Sequence, residues 1–156
     1  MDLTNVSYVS ADDHLTFASR GTPEKGDILY TKDGTLGIPY VVDVDFEFSF
    51  FVSVALIKLR REIADPHFIA QALEIPSVLD QVARMGAGMG LKHMVLKSIR
   101  ALEVPVPPLP IQERVSAVLA DRMEGFQRAH DALKSRIDTL GLLSVSLLRR
   151  AFAGGL

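Results

Sequence analysis

Histidines, glycines and cations are the residues of this chain whose types could do chemistry, and their spacing decides how much. His14, His67, His93 and His130 are scattered, with no H-x-x-x-H or comparable ligand spacing, so no metal site is expected. Gly86-Ala87-Gly88-Met89-Gly90 has the glycine density of a phosphate cradle. The dinucleotide fingerprint, however, needs G-x-G-x-x-G between a strand and a helix, and the Walker pattern is also absent. The segment reads as a loop whose backbone can approach a ligand closely. Serines and aspartates occur without G-x-S-x-G or another nucleophile motif. With no cysteine, cysteine nucleophiles, zinc ribbons and disulfide scaffolds are excluded. No catalytic constellation remains.

What remains is positive charge in two places. Lys58, Arg60 and Arg61 form one cluster. The other runs from Gln81 to Leu102, with Arg84, Lys92, His93, Lys97 and Arg100 and no carboxylate. The formal net charge is −2, and residues 1–50 carry three basic and nine acidic side chains. A polyanion responds to local potential rather than to that total, so it would be met along the carboxylate-free stretch. The same stretch also fits a solvated face with no partner. Lys32-Asp33-Gly34-Thr35 adds a cation and hydrogen-bonding groups on a turn, suited to base edges as well as to plain solvent. The candidate DNA contacts are Lys32, Thr35, Arg84, Lys92, His93 and Lys97.

These residues need a scaffold. A chain of 156 residues with 48% hydrophobic and 23% charged residues is an ordinary folded protein, one domain or a small domain with an appendage. No apolar run reaches the ~18 residues of a membrane span and no signal-peptide layout opens the chain, so a soluble, cytoplasmic protein without a membrane partner is expected. Residues 1–25 read as short extended pieces and loops, with turns at Ala11-Asp12-Asp13 and Arg20-Gly21-Thr22-Pro23. A strand over 26–31, the Asp33-Gly34 hairpin signal and a return strand over 37–44 follow, Pro39 favouring an edge. A third strand over 50–59 is apolar on both faces, which predicts a place inside the sheet. Asp65-Pro66 opens a helix to about Leu73, and Pro76 opens another to about Met85. A last strand is expected over 99–106, ended by the stiff Pro105-Val106-Pro107-Pro108-Leu109-Pro110 collar.

From Ile111 to Ala153 there is no proline, and apolar positions recur in steps of four and three. The seam is Leu119, Met123, Phe126, His130, Leu133, Ile137, Leu140, Ser144, Leu147 and Ala151, with His130 and Ser144 as polar interruptions. A helix of this length spans roughly 65 Å at 1.5 Å per residue, more than a small domain needs. No second long helix is legible in the chain, so the partner is expected to be another molecule. Leu119, Met123, Phe126, His130, Leu133, Ile137, Leu140 and Leu147 are the candidate dimerisation residues.

Three segments resemble one family. Gly26-Asp27-Ile28-Leu29-Tyr30-Thr31-Lys32-Asp33-Gly34-Thr35-Leu36-Gly37 resembles the "GDIL…GT-G" hairpin of target-recognition domains. These domains belong to the DNA-specificity subunits of type I restriction–modification enzymes. Val104-Pro105-Val106-Pro107-Pro108-Leu109-Pro110-Ile111-Gln112-Glu113-Arg114 is similar to the family's "iPvPPLpeQ" collar before a long conserved-region helix. Ser146-Leu147-Leu148-Arg149-Arg150-Ala151-Phe152-Ala153-Gly154-Gly155-Leu156 is similar to its "LL--AF-G-L" close.

The resemblance implies an α+β protein: a small β-rich target-recognition head over 1–110, then one long coiled-coil helix over 111–156. It implies a non-catalytic reader of one half of a bipartite double-stranded DNA target, which docks methyltransferase subunits; the seam without an internal partner adds the expectation of a homodimer through the helix. No cofactor is expected in this chain, since S-adenosylmethionine and Mg/ATP would belong to partner subunits. Family subunits carry two recognition domains and two helices; one of each here reads as a half-subunit or a fragment. The family's tryptophan-containing start is absent and only about 25 residues precede the hairpin, so the head reads as shortened at its N-terminus. The alternative is a coiled-coil assembly module that docks a partner without reading DNA.

Overall fold

A computed structural model describes residues 6–19, 21–86 and 92–152, the side chains of 143–148, 150 and 151 excepted. Contacts divide the chain into two compact units, Met1–Arg114 and Val115–Leu156. The architecture is α+β: a small three-stranded antiparallel sheet, short helices, and a long C-terminal helix.

The first element is a helix where extended chain was expected. α1 spans Ala11–Ala18. Ser10 is its N-cap: the Oγ accepts the Asp13 backbone N–H at 3.1 Å and donates to Asp13 Oδ2 at 2.7 Å. Asp12 and Asp13 lie in the first turn, where carboxylates meet the positive end of the helix dipole. The Ala11-Asp12-Asp13 turn signal is therefore a helix start.

β1 (Ile28–Thr31), β2 (Pro39–Val41) and β3 (Val54–Ile57) form the sheet in the order β2-β1-β3. Tyr30 stands opposite Pro39 on one side and Ala55 on the other. Pro39 occupies the edge strand that its missing N–H requires. The third strand is shorter than 50–59 and is the other edge, so β1 is the internal strand instead. Its two apolar faces have a different cause from flanking strands: Leu56 and Ile57 line an apolar groove of about 650 Å³ with Phe17, Phe50, Ile99 and Leu102.

α2 (Pro66–Leu73) and α3 (Pro76–Met85) start where their prolines place them. Asp65 caps α2 by accepting the Phe68 N–H at 2.7 Å. α3 presents Val78 and Val82, one turn apart, to the core. There they join Ile28, Tyr30, Ile69, Leu73 and Met94. Side chains of this size stabilise by about 1.5–3 kcal/mol each when fully buried. The strand expected over 99–106 is absent: Leu96–Arg100 is a short helix, α4, and 102–108 form no regular element. Pro105, Pro107 and Pro108 have no N–H to give a ladder.

α5 spans Leu109–Phe152, with Pro110 in its first turn, where its missing donor costs nothing. In the second unit the apolar seam is open to solvent in the single chain: Phe126 is 71% and Ile137 67% exposed, with Met123, Leu133 and Leu140 comparable. His130 is also exposed and its ring meets Asp131 at 3.4 Å. The side chains of Ser144, Leu147 and Ala151 lie outside the described residues. Gly86 follows α3, and the rest of the glycine loop, 87–90, also lies outside them.

Candidate nucleic-acid interface

The hairpin connection is longer than a two-residue Asp-Gly turn. It occupies the seven residues between β1 and β2 and is folded back on itself by Thr31. The Thr31 N–H donates to Ile38 O at 3.0 Å, the Thr31 carbonyl accepts the Gly37 N–H at 3.0 Å, and Thr31 Oγ1 accepts the Ile38 N–H at 2.9 Å. Gly34 and Gly37 supply the positive φ values, +75° and +86°, that this path needs.

The tip is bound to a segment far along the chain. Asp33 and His93 form an isolated antiparallel bridge. The Gly34 N–H donates to Lys92 O, and the Met94 N–H to Lys32 O, both at 2.9 Å. The buried Met94 side chain anchors that segment in the core. The Asp33 carboxylate sits between two basic side chains, pairing with Lys32 Nζ at 2.9 Å through one oxygen and with the His93 ring through the other. Hydrogen bonds from His93 first, and from Lys32, hold the Asp33 carboxyl below the usual carboxylate range.

Of the six candidate contacts, four meet here. Lys32 and His93 share Asp33, while Thr35 and Lys92 line a groove of about 580 Å³. Its other wall comes from Leu79, Val82 and Ala83 of α3, and the exposed Arg84 follows in the last turn of that helix. Lys97 is exposed on α4 beside Arg100 and does not line this groove. Among the described residues, Arg84, Lys92, Lys97 and Arg100 are in no ion pair. Such cations are free to meet phosphate.

The second basic cluster is differently employed. Lys58 Nζ pairs with Glu24 at 2.9 Å and with the buried Asp27 at 3.0 Å, and the Glu24 hydrogen bond leads in raising its pKa. Asp27 also accepts the Glu24 N–H at 2.8 Å. Arg61 donates to Lys25 O and covers Gly26, where a Cβ would collide with the guanidinium. Lys58 and Arg61 are thus engaged in holding the entry to β1. Among the described residues no group of three His, Asp or Glu side chains could hold a metal ion.

A family model, the type I restriction modification DNA specificity domain, matches residues 5–137. The chain belongs to this family. No curated protein sequence matches it. The match covers the whole of the specificity head described above and most of α5. Among the described residues no helix is long and apolar enough to cross a membrane.

Reading the sequence assigned no role to three polar residues of this specificity domain. From the sequence Asp33 reads as half of a turn signal within the hairpin motif, Asp27 as part of the same motif, and Gln112 as part of the proline collar. Motif membership was the available signal for the last two. The role of Asp33 emerges from a pairing sixty residues apart.

Proposed function

We propose that this specificity domain reads one half of a bipartite target in double-stranded DNA for a type I restriction–modification system. The observation that carries the reading is the family match over 5–137. It is supported by unpaired cations beside a groove walled by the hairpin connection and α3. In this reading Arg84, Lys92 and Lys97 neutralise phosphates, and Thr35 reaches base edges. Lys32 and His93 hold the tip through Asp33. Catalysis, S-adenosylmethionine and Mg/ATP belong to partner subunits.

The exposed seam of α5 favours a second part to the reading, in which Leu119, Met123, Phe126, His130, Leu133, Ile137, Leu140 and Leu147 pair two copies as a homodimer. A two-fold pair would place two heads on two half-sites. The helices would also dock the methyltransferase subunits, and the site of action would be the cytoplasm.

The test is selection from a randomised duplex pool with sedimentation of the same sample. Enrichment of a split, spaced motif by a dimer is the expected result. A dimer that enriches nothing, yet is captured by a methyltransferase subunit, overturns the reading in favour of an assembly module.

A further inference from the structure

Within the DNA-binding reading, on which this inference rests, one residue at the tip has the wrong sign. Asp33 is a carboxylate placed among Lys32, Lys92 and His93, at the edge of the groove that Thr35 and Lys92 line. It is largely shielded and not free: its side chain is 20% exposed, Lys32 is 16% exposed beside it, and both carboxylate oxygens are occupied. The backbone bridge to 92–94 fixes the same residue from the other side.

We propose that Asp33 is a specificity-determining residue, which withdraws Lys32 and His93 from phosphate and sets the tip in register with Lys92. Two physical terms separate. Binding to DNA of any sequence grows with the number of cations free to displace counterions. Discrimination between sequences depends on where base-reading groups are held. A carboxylate that neutralises Lys32, and His93 when protonated, lowers the first term. Through its contact with the His93 ring, beside the main-chain bonds of Gly34 to Lys92 O and of Met94 to Lys32 O, it helps to secure the second. The sign of the charge is therefore useful at an interface with a polyanion, because it suppresses binding to the many wrong sites.

The test is Asp33→Asn in the full chain, with Kd for the selected target and for an unrelated duplex measured across a salt series. The unrelated duplex is expected to bind about 3- to 10-fold more tightly, with a salt slope steeper by about 1, because one more cation reaches phosphate. The selected target is expected to bind no more tightly, so the specificity ratio falls about 10-fold. Adding Lys32→Met to Asp33→Asn should return the unrelated-duplex affinity and slope towards the parent's. Equal changes on both duplexes, or an unchanged slope, overturn the proposal and leave the DNA-binding reading standing. A parent protein that binds no duplex overturns both, and is recognised before any variant is made. Should Asp33→Asn not fold, Asp33→Ser removes the same charge with a turn-forming residue and is read in the same way.

Discussion

Gln112, in the first turn of α5, accepts the backbone N–H of Asp65, the N-cap residue of α2, at 2.9 Å. Its amide nitrogen donates to Ile63 O at 2.8 Å and to Pro107 O at 2.6 Å. The side chain is fully buried. One glutamine thus satisfies main-chain groups from the chain before α2 and from the proline collar, and fixes the start of α5 on the head.

Gln112→Ala is expected to be among the most damaging single substitutions in the head. It removes three hydrogen bonds from a fully buried side chain to part-buried main-chain groups, a loss of about 2–4 kcal/mol. Chemical denaturation with unchanged m-value would measure it. A loss below about 0.5 kcal/mol would contradict the role assigned to Gln112.

The two basic clusters should separate in DNA binding. Lys92→Ala should weaken binding to all duplexes and reduce the salt slope by about 0.9, one phosphate contact. Lys58→Ala should leave the slope unchanged, because its ammonium is held by Glu24 and Asp27, and should instead lower the melting temperature. Anisotropy titrations over a salt series, with melting curves alongside, distinguish the two.

Acid should loosen the tip. The folded pKa of Asp33 lies below its ordinary 3.8, so its pairing stabilises the protein above that value, and the contribution disappears as pH falls through the lower, folded one. Melting curves from pH 7 down to about pH 3 should therefore fall less steeply for Asp33→Asn than for the parent. Lys58 acts in the opposite direction. Its folded pKa is raised above 10.5, so its contribution is present below that value and lost at higher pH.

Leu133→Asp with Leu140→Asp should give a monomer at micromolar concentration by sedimentation, since both leucines lie on the proposed pairing seam and are exposed in the single chain. A dimer of unchanged affinity would place the pairing surface elsewhere.

Much of this scaffold was legible because its signals are local. Asp65-Pro66 and Pro76 mark α2 and α3 through missing donors and a capping carboxylate, and the three–four apolar spacing marks α5. α1 was not legible because Ser10 and Asp13 serve a turn and a helix cap equally well. The segment 96–100 carries apolar residues that suit either a strand or a short helix, and only packing decides. β3 looked internal because apolar residues on both faces record burial without saying what covers them. At the candidate site, the cations could be named from the sequence. Their division into paired and unpaired could not, because it depends on contacts such as Asp33 with His93 and Lys58 with Asp27.

The sixty-residue separation between Asp33 and His93 has a kinetic side. β1 and β2 can find each other across seven residues, whereas the tip must wait for a much longer loop to close, at a greater entropic cost. The amides of Gly34 and Met94, which span that closure, are accordingly expected to exchange with deuterium together, and sooner than those of Ile28 and Tyr30. The surface that would meet DNA thus takes its final shape later than the hairpin that carries it, and gives it up sooner than the strands beneath.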